Sequence, residues 1–390
     1  MSKYKVKIFN KIANEGLKYL EDDLFEYGDD IKDPDALLLR SHKLQENEIP
    51  DSVKAIARAG AGINNIPVEY CKSKGIAVFN TPGANANAVK ELVLAGLLLS
   101  SRDILGGLEF VKGLDSVDNS VVEKNKSKFK GSEIQGKNIA IIGLGAIGIS
   151  VANAALSLGM NVHGYDPFIS VKNAWGLSRN VVLEENITSV LQNADYVTLH
   201  LPLNEETRKF IDKEKLELIK KTAVVLNFSR AEIVDQEELL YSLKNNKIGK
   251  YVTDFPSKLF QGIKNVIAMP HLGASTTEAE INCAVMAAKQ VKDFLLRGDL
   301  TNTVNLPNGV HQLSTNYRVA IIHENIPKMV QKITSVFGDS KINIVEMINK
   351  SRVDVAYTLV DIDANSEDIC QTLKNESGIY KVRLIAQSNK

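Results

Sequence analysis

The sequence predicts an α/β protein: two doubly wound parallel-sheet lobes followed by a smaller α+β module. Three observations carry this. Short buried-strand patterns alternate with helical ones over most of the chain, the order of parallel βαβ units. A G-x-G-x-x-G run at Gly143, Gly145 and Gly148 joins one such strand to a helix. From Tyr317 onward the pattern shortens to strand, helix, strand, strand, helix, strand, a ferredoxin-like order.

Composition bounds the function classes. The 390 residues are 44% hydrophobic and 24% charged, ordinary for a soluble globular protein of two or three domains. Lys+Arg and Asp+Glu balance at 47 each, so no basic excess points to nucleic acid or to an anionic membrane. Cys71, Cys283 and Cys370 are odd in number and far apart, which reads as buried thiols in a reducing compartment, with no disulfide frame and no metal site. The start "MSKYKVKIFN" has strand character rather than that of a signal peptide, and the longest apolar run, 92–100, is too short to span a bilayer. A cytoplasmic protein is expected.

The elements follow in order. Residues 5–10 and 35–41 read as buried strands, 53–66 as a strand entering a glycine turn, and 75–104 as strand, turn and long helix. The polar stretch 112–137 reads as a surface crossing. Residues 138–168 give the clearest strand–loop–helix–strand unit, and short apolar strands follow at 194–204, 222–230, 248–256 and 265–273. A long helix is expected at 278–299 and a linker at 306–316. The expected domains are 1–100 with 280–305, 101–279, and 317–390.

In "IAIIGLGAIG" Gly143 permits the tight turn, Gly145 lets backbone approach a pyrophosphate, and Gly148 allows close helix–strand packing. The amides opening the helix, at Ala146 and Ile147, offer unpaired N–H groups to phosphate. The next strand ends in Asp166, where a carboxylate accepts ribose hydroxyls and repels a 2′-phosphate, which favours NAD over NADP. A second strand–glycine segment, "RAGAGINN" (58–65), lacks the third glycine and an acidic strand end, and reads as a substrate-side loop. His271, at the end of "NVIAMPH", reads in isolation as an ordinary strand-end histidine.

Together these motifs change that reading. "GLGAIG…YDP", "HLPLNEET", "NFSRAEIVD" and "PHLGAST" stand in an order that resembles the D-isomer-specific 2-hydroxyacid dehydrogenases. "RSHKL", "RAGAGINNI" and "NTPGANANAVKE" resemble the members of that family that act on 3-phospho-D-glycerate, and the C-terminal module resembles an ACT regulatory domain. The resemblance implies an NAD-dependent dehydrogenase taking 3-phospho-D-glycerate to 3-phosphohydroxypyruvate, the first step of L-serine synthesis. It also implies a discontinuous substrate lobe and a homodimer or homotetramer. A glyoxylate, hydroxypyruvate or other 2-oxo acid reductase is the neighbouring reading, and an NAD-sensing protein without turnover the distant one.

Residue by residue, Arg230 matches the family's substrate-binding arginine and His271 its acid/base histidine. The glutamate that usually orients that histidine is missing from 255–264, and Lys258 stands closest to its position. Its ammonium would disfavour a second positive charge on the imidazole, or act itself as a second cation or proton carrier. Pro202, Thr207, Asp254, Gly273 and Ala274 match cofactor-side turns. Arg40, Ser41, Arg58, Ala59, Gly60 and Asn85 match the substrate side, with the phosphate near the two arginines. In the ACT-like module, His323, Asn325 and Asn343 match positions that bind L-serine as an effector across a dimer interface, although Lys328 replaces the usual glycine.

Overall fold

The computed structural model describes residues 3–386 apart from Asp22. The chain divides into two compact units, 1–85 with 277–390, and 86–276.

The first unit holds two sheets. One is parallel, in the order β2-β1-β3-β4-β5, from β1 (Tyr4–Ile8), β2 (Phe25–Gly28), β3 (Ala36–Leu39), β4 (Ala55–Arg58) and β5 (Ala77–Phe79). Its central strands are buried on both faces, which is why they read as continuous apolar runs. Leu37, Leu39, Ile56 and Val78 face Leu44, Ile66 and Cys71. Leu38, Ala57 and Phe79 face the helix Thr277–Arg297 through Ala284, Ala287, Val291 and Phe294. Burial pushes the Cys71 thiol up to about 12, which leaves it inert.

The first unit's second sheet is antiparallel, in the order β14-β15-β13-β16, from β13 (Tyr317–Glu324), β14 (Ile344–Arg352), β15 (Val355–Ile362) and β16 (Ile379–Ala386). Helices Met329–Asp339 and Glu367–Lys374 cover one face through Ile333, Phe337, Ile369 and Leu373. The other face, with Ala320, Ile322, Val355, Tyr357, Leu359 and Ile385, joins the core of the parallel sheet. The C-terminal module, expected as a separate domain, therefore shares one core with the N-terminal segment. Polar clamps complete the junction. The fully buried Arg318 forks onto Asp361 at 2.5 and 2.9 Å, and its Nη1 donates to the Arg297 and His311 carbonyls. Removing one partner of such a buried pair costs about 3–5 kcal/mol.

The second unit is a seven-stranded parallel sheet in the order β12-β11-β10-β9-β6-β7-β8. Its strands are β6 (Asn138–Ile142), β7 (Asn161–Tyr165), β8 (Val182–Leu183), β9 (Tyr196–Leu199), β10 (Val224–Asn227), β11 (Lys250–Thr253) and β12 (Val266–Ala268). The order reverses between β6 and β9, which places the binding crevice of a doubly wound sheet at their carboxyl ends. The helix Ala86–Ser101, expected with the N-terminal lobe, belongs to this unit and packs on β10 and β11, where Gly96 lies against Leu226, Phe228 and Val252. The stretch expected as a plain surface crossing contains the helix Asn119–Asn125, started by the Asp118 carboxylate accepting from the Ser120 amide.

Candidate active site

In the second unit, the expected groups stand at the carboxyl ends of one parallel sheet. The glycine loop follows β6, and the three glycines differ in what surrounds them. Gly143 has φ +94°, and a Cβ there would lie 2.6 Å from the His200 carbonyl oxygen. At Gly148 a Cβ would lie 1.9 Å from the Gly143 carbonyl oxygen, so only hydrogen fits. At Gly145 a Cβ would meet nothing within 4 Å. Packing therefore explains two of the glycines, and the third keeps a space open at the start of the helix Ala146–Ser157, beside the Ala146 and Ile147 amides. A dinucleotide pyrophosphate fits that space. Asp166, past β7, accepts from the Leu144 amide (2.8 Å) and the Phe168 amide (2.9 Å), which ties its carboxylate to the loop.

His200 supports the loop from the next strand. Its amide donates to the Ile142 carbonyl at 2.7 Å, and its Nε2 meets the Thr198 hydroxyl at 3.0 Å. Its Nδ1 is buried without a partner among the described residues, and desolvation holds the ring down to about 3, so it is neutral at every working pH. This histidine opens the motif "HLPLNEET", in which Pro202 and Thr207 are the residues matched to cofactor-side turns; its burial comes from the sheet and is not marked in the sequence.

The turn after β10 is rigidly built. The Asn227 amide nitrogen donates to the Arg230 carbonyl (2.8 Å), the Ser229 hydroxyl to the Leu199 carbonyl (2.5 Å), and Arg230 Nη1 to the Ser229 carbonyl (2.6 Å). Arg230 is thus half-buried on a locked turn. After β11, Asp254 is fully buried, with Oδ2 accepting from the Gly273 amide at 2.8 Å and Oδ1 unpartnered among the described residues. Burial raises its carboxyl above the usual range, and the Gly273 amide and the positive form of His271 oppose that rise. His271 is exposed, with its ring 4.8 Å from that of Phe255. Lys258 is exposed on the short turn Lys258–Phe260. Pro202 and Thr207 form one capped turn, the Thr207 hydroxyl donating to the Pro202 carbonyl at 2.5 Å. Ala274 is half-buried beside Gly273.

The first unit holds the substrate-side residues. Arg58 donates from Nε to the Arg40 carbonyl (3.1 Å) and from Nη1 to the Gly62 carbonyl (2.5 Å), so its guanidinium fills its own glycine loop. Arg40 pairs with Glu280 at 2.8 Å while remaining about a third exposed. Ala59 is buried, the Gly60 carbonyl accepts from the Thr81 amide, and Ser41 is exposed. Asn85 keeps a buried Oδ1 without a partner among the described residues. In the C-terminal sheet, His323 is buried, with Nε2 on the Thr358 hydroxyl and Nδ1 on the Glu324 carbonyl, both at 2.8 Å. Asn325 donates to the Val353 carbonyl. Asn343 precedes β14, whose first residue pairs with Ile362 and so stands at the opposite end of the sheet from His323. One chain does not bring these three together. Lys328 has φ +69°, the left-handed backbone that glycine adopts freely.

Comparison with known proteins decides the family. Residues 106–273 match the model of the D-isomer specific 2-hydroxyacid dehydrogenase, NAD binding domain. D-3-phosphoglycerate dehydrogenase 2 of Saccharomyces cerevisiae is 30% identical over 397 aligned positions, covering 94% of this chain and 81% of that protein. The chain belongs to the D-isomer-specific 2-hydroxyacid dehydrogenase family. The family's D-3-phosphoglycerate dehydrogenase of Methanocaldococcus jannaschii is 35% identical over 328 positions, covering 82% of this chain and 60% of that protein. The chain thus spans less than two thirds of that relative's length. An NAD+-bound 3-phosphoglycerate dehydrogenase structure from Entamoeba histolytica superposes with a TM-score of 0.61 at 28% identity, over 78% of this chain and 99% of that one.

Proposed function

We propose that the chain is an NAD-dependent dehydrogenase that oxidises 3-phospho-D-glycerate to 3-phosphohydroxypyruvate, the first step of L-serine synthesis. One observation carries this: the open glycine loop, Arg230, Asp254 and His271 all follow carboxyl ends of one parallel sheet. The relatives named for this reaction support the choice of substrate. Gly143, Gly145, Gly148 and the amides of Ala146 and Ile147 would hold the pyrophosphate, and Asp166 the adenosine ribose. Bound NAD supplies the hydride acceptor.

The chain's own groups do the rest. The Arg230 guanidinium forks to the substrate carboxylate and C2 oxygen and polarises them. The exposed His271 ring takes the hydroxyl proton. Lys258 supplies a further cation for an anionic substrate. Arg40 and the loop that Arg58 organises receive the phosphate, and these two arginines favour a phosphorylated substrate over glyoxylate or hydroxypyruvate. A homodimer or homotetramer belongs to the same reading, because two copies could bring His323 and Asn325 of one chain to Asn343 of another for L-serine.

One experiment tests the set. The NADH absorbance band is followed with 3-phosphohydroxypyruvate as substrate, across pH and over an L-serine titration. His271→Ala should lower kcat by about a thousandfold. Lys258→Ala should raise KM and change the pH profile. Wild-type turnover no faster than that of His271→Ala would overturn the reading, and an unchanged Lys258→Ala profile would remove Lys258 from it.

A further inference from the structure

Beside the edge strand β14, the first unit has a cavity of about 750 Å³ that the proposed reaction does not use. Two cations, Lys350 and Arg352, line it, and among the described residues no carboxylate does. They stand two residues apart on the strand, so their side chains leave the same face. Of the acids flanking these strand residues in sequence, Glu346 lies 3.1 Å from His311 and Asp354 pairs with Lys72 at 2.9 Å. Arg352 Nη1 reaches the Thr303 and Leu306 carbonyls at 3.4 Å, long contacts that hold the guanidinium at the cavity, while among the described residues Nε and Nη2 keep donors to spare. The Lys350 stem lies over Gly309, where an added Cβ would come within 3.2 Å of its Cδ. The remaining wall mixes apolar surface, from Ile63, Val304 and Pro307, with the Asn308 amide.

We propose that this cavity binds a small dianion on a short carbon chain, a phosphomonoester or a dicarboxylate, as an effector. The guanidinium fork and the ammonium point charge match either the two carboxylates of a dicarboxylate or the oxygens of a single phosphate, and the apolar wall matches the short carbon chain. The site also has a route to the substrate-side loop. Ile63 is part of that loop, one residue from Gly62, whose carbonyl Arg58 grips. A ligand pressing on Ile63 biases the loop that organises Arg58, and this coupling clause rests on the function proposed above.

Calorimetry on the full chain tests binding without relying on turnover, with malonate and glycerol 2-phosphate as the two probes. At least one should bind with a Kd of about 1 mM or tighter. Lys350→Glu should weaken it about tenfold or more at an unchanged melting temperature, since Lys350 is exposed and its side chain makes no hydrogen bond among the described residues. Arg40→Ala, which removes a cation of the proposed substrate side, should leave that binding as it is. If neither probe binds at about ten times that concentration, or if Lys350→Glu binds as wild type does, the site is disproved. In the assay, the bound probe should shift KM for the phosphorylated substrate in wild type and not in Lys350→Glu. A chain without turnover would sink the proposed function and leave the measured binding, present or absent, to decide the site by itself.

Discussion

The molecule contains two strand–glycine loops that look alike in sequence, and they solve opposite problems. In the loop 143–148, a Cβ on Gly145 would find open space beside the first amides of a helix. In the loop 58–62, a Cβ on Gly60 would come 2.8 Å from Arg58 Nη1, so the loop's own guanidinium occupies the space. The first loop leaves the Ala146 and Ile147 amides for an incoming anion. The second spends the Gly62 carbonyl on a cation, presenting a positive group where the first presents a gap. Glycine spacing alone therefore does not identify a phosphate loop; what fills the space above the glycine does.

The largest effect should come from closing the gap. Gly145 has φ −74° and ψ −170°, extended backbone that valine accepts, and nothing lies near the added carbon. Gly145→Val should melt within about 2 °C of wild type yet bind NAD about a hundredfold more weakly, as read by calorimetry. Gly148→Ala is the contrasting control, since its Cβ would sit 1.9 Å from the Gly143 carbonyl oxygen and force the loop apart. Full NAD affinity in Gly145→Val would break the comparison at its first term.

A middle-sized effect should come from emptying the second loop. Arg58→Ala deletes the donors to the Arg40 and Gly62 carbonyls. Each such charged hydrogen bond is worth about 1.5–3 kcal/mol, so the loop loses its internal brace. KM for the phosphorylated substrate should rise about tenfold to a hundredfold, with kcat changing less than KM. Arg58→Lys keeps the charge and loses the fork. Its failure to restore KM would show that bracing, more than charge, is the arginine's contribution.

The sequence carried local order well and distant partners poorly. The βαβ unit around Gly143 was legible because strand, glycine spacing and the acid at Asp166 are all local. The C-terminal strand and helix order was legible for the same reason. The shared core of the C-terminal sheet and the N-terminal segment stayed hidden, although β15 carried a signal: all eight of its residues are buried, as in a strand covered on both faces. Periodicity shows that a face is covered and is silent about what covers it. The Arg318–Asp361 pair was hidden likewise, because 43 residues separate partners that only the fold brings together. At the candidate site, His271 and Arg230 were visible through their motifs, whereas the burial of Asp254 depends on the whole sheet.

The smallest effect should be at Gly60. Its backbone φ is not in the left-handed region, so alanine fits the local chain. The new carbon would meet only the far end of the Arg58 side chain, which can move by rotating about its own bonds. Reduced freedom of the unfolded chain returns about 0.4–1 kcal/mol, enough to offset a modest displacement of the guanidinium. Gly60→Ala should therefore melt close to wild type and keep KM within about threefold. A KM raised as far as that of Arg58→Ala, at an unchanged melting temperature, would mean that substrate needs bare backbone at Gly60. The second loop would then be a cradle like the first, with Arg58 as a lid over it, and the contrast between filled and open loops would fail at the position where the side-chain contact is tightest.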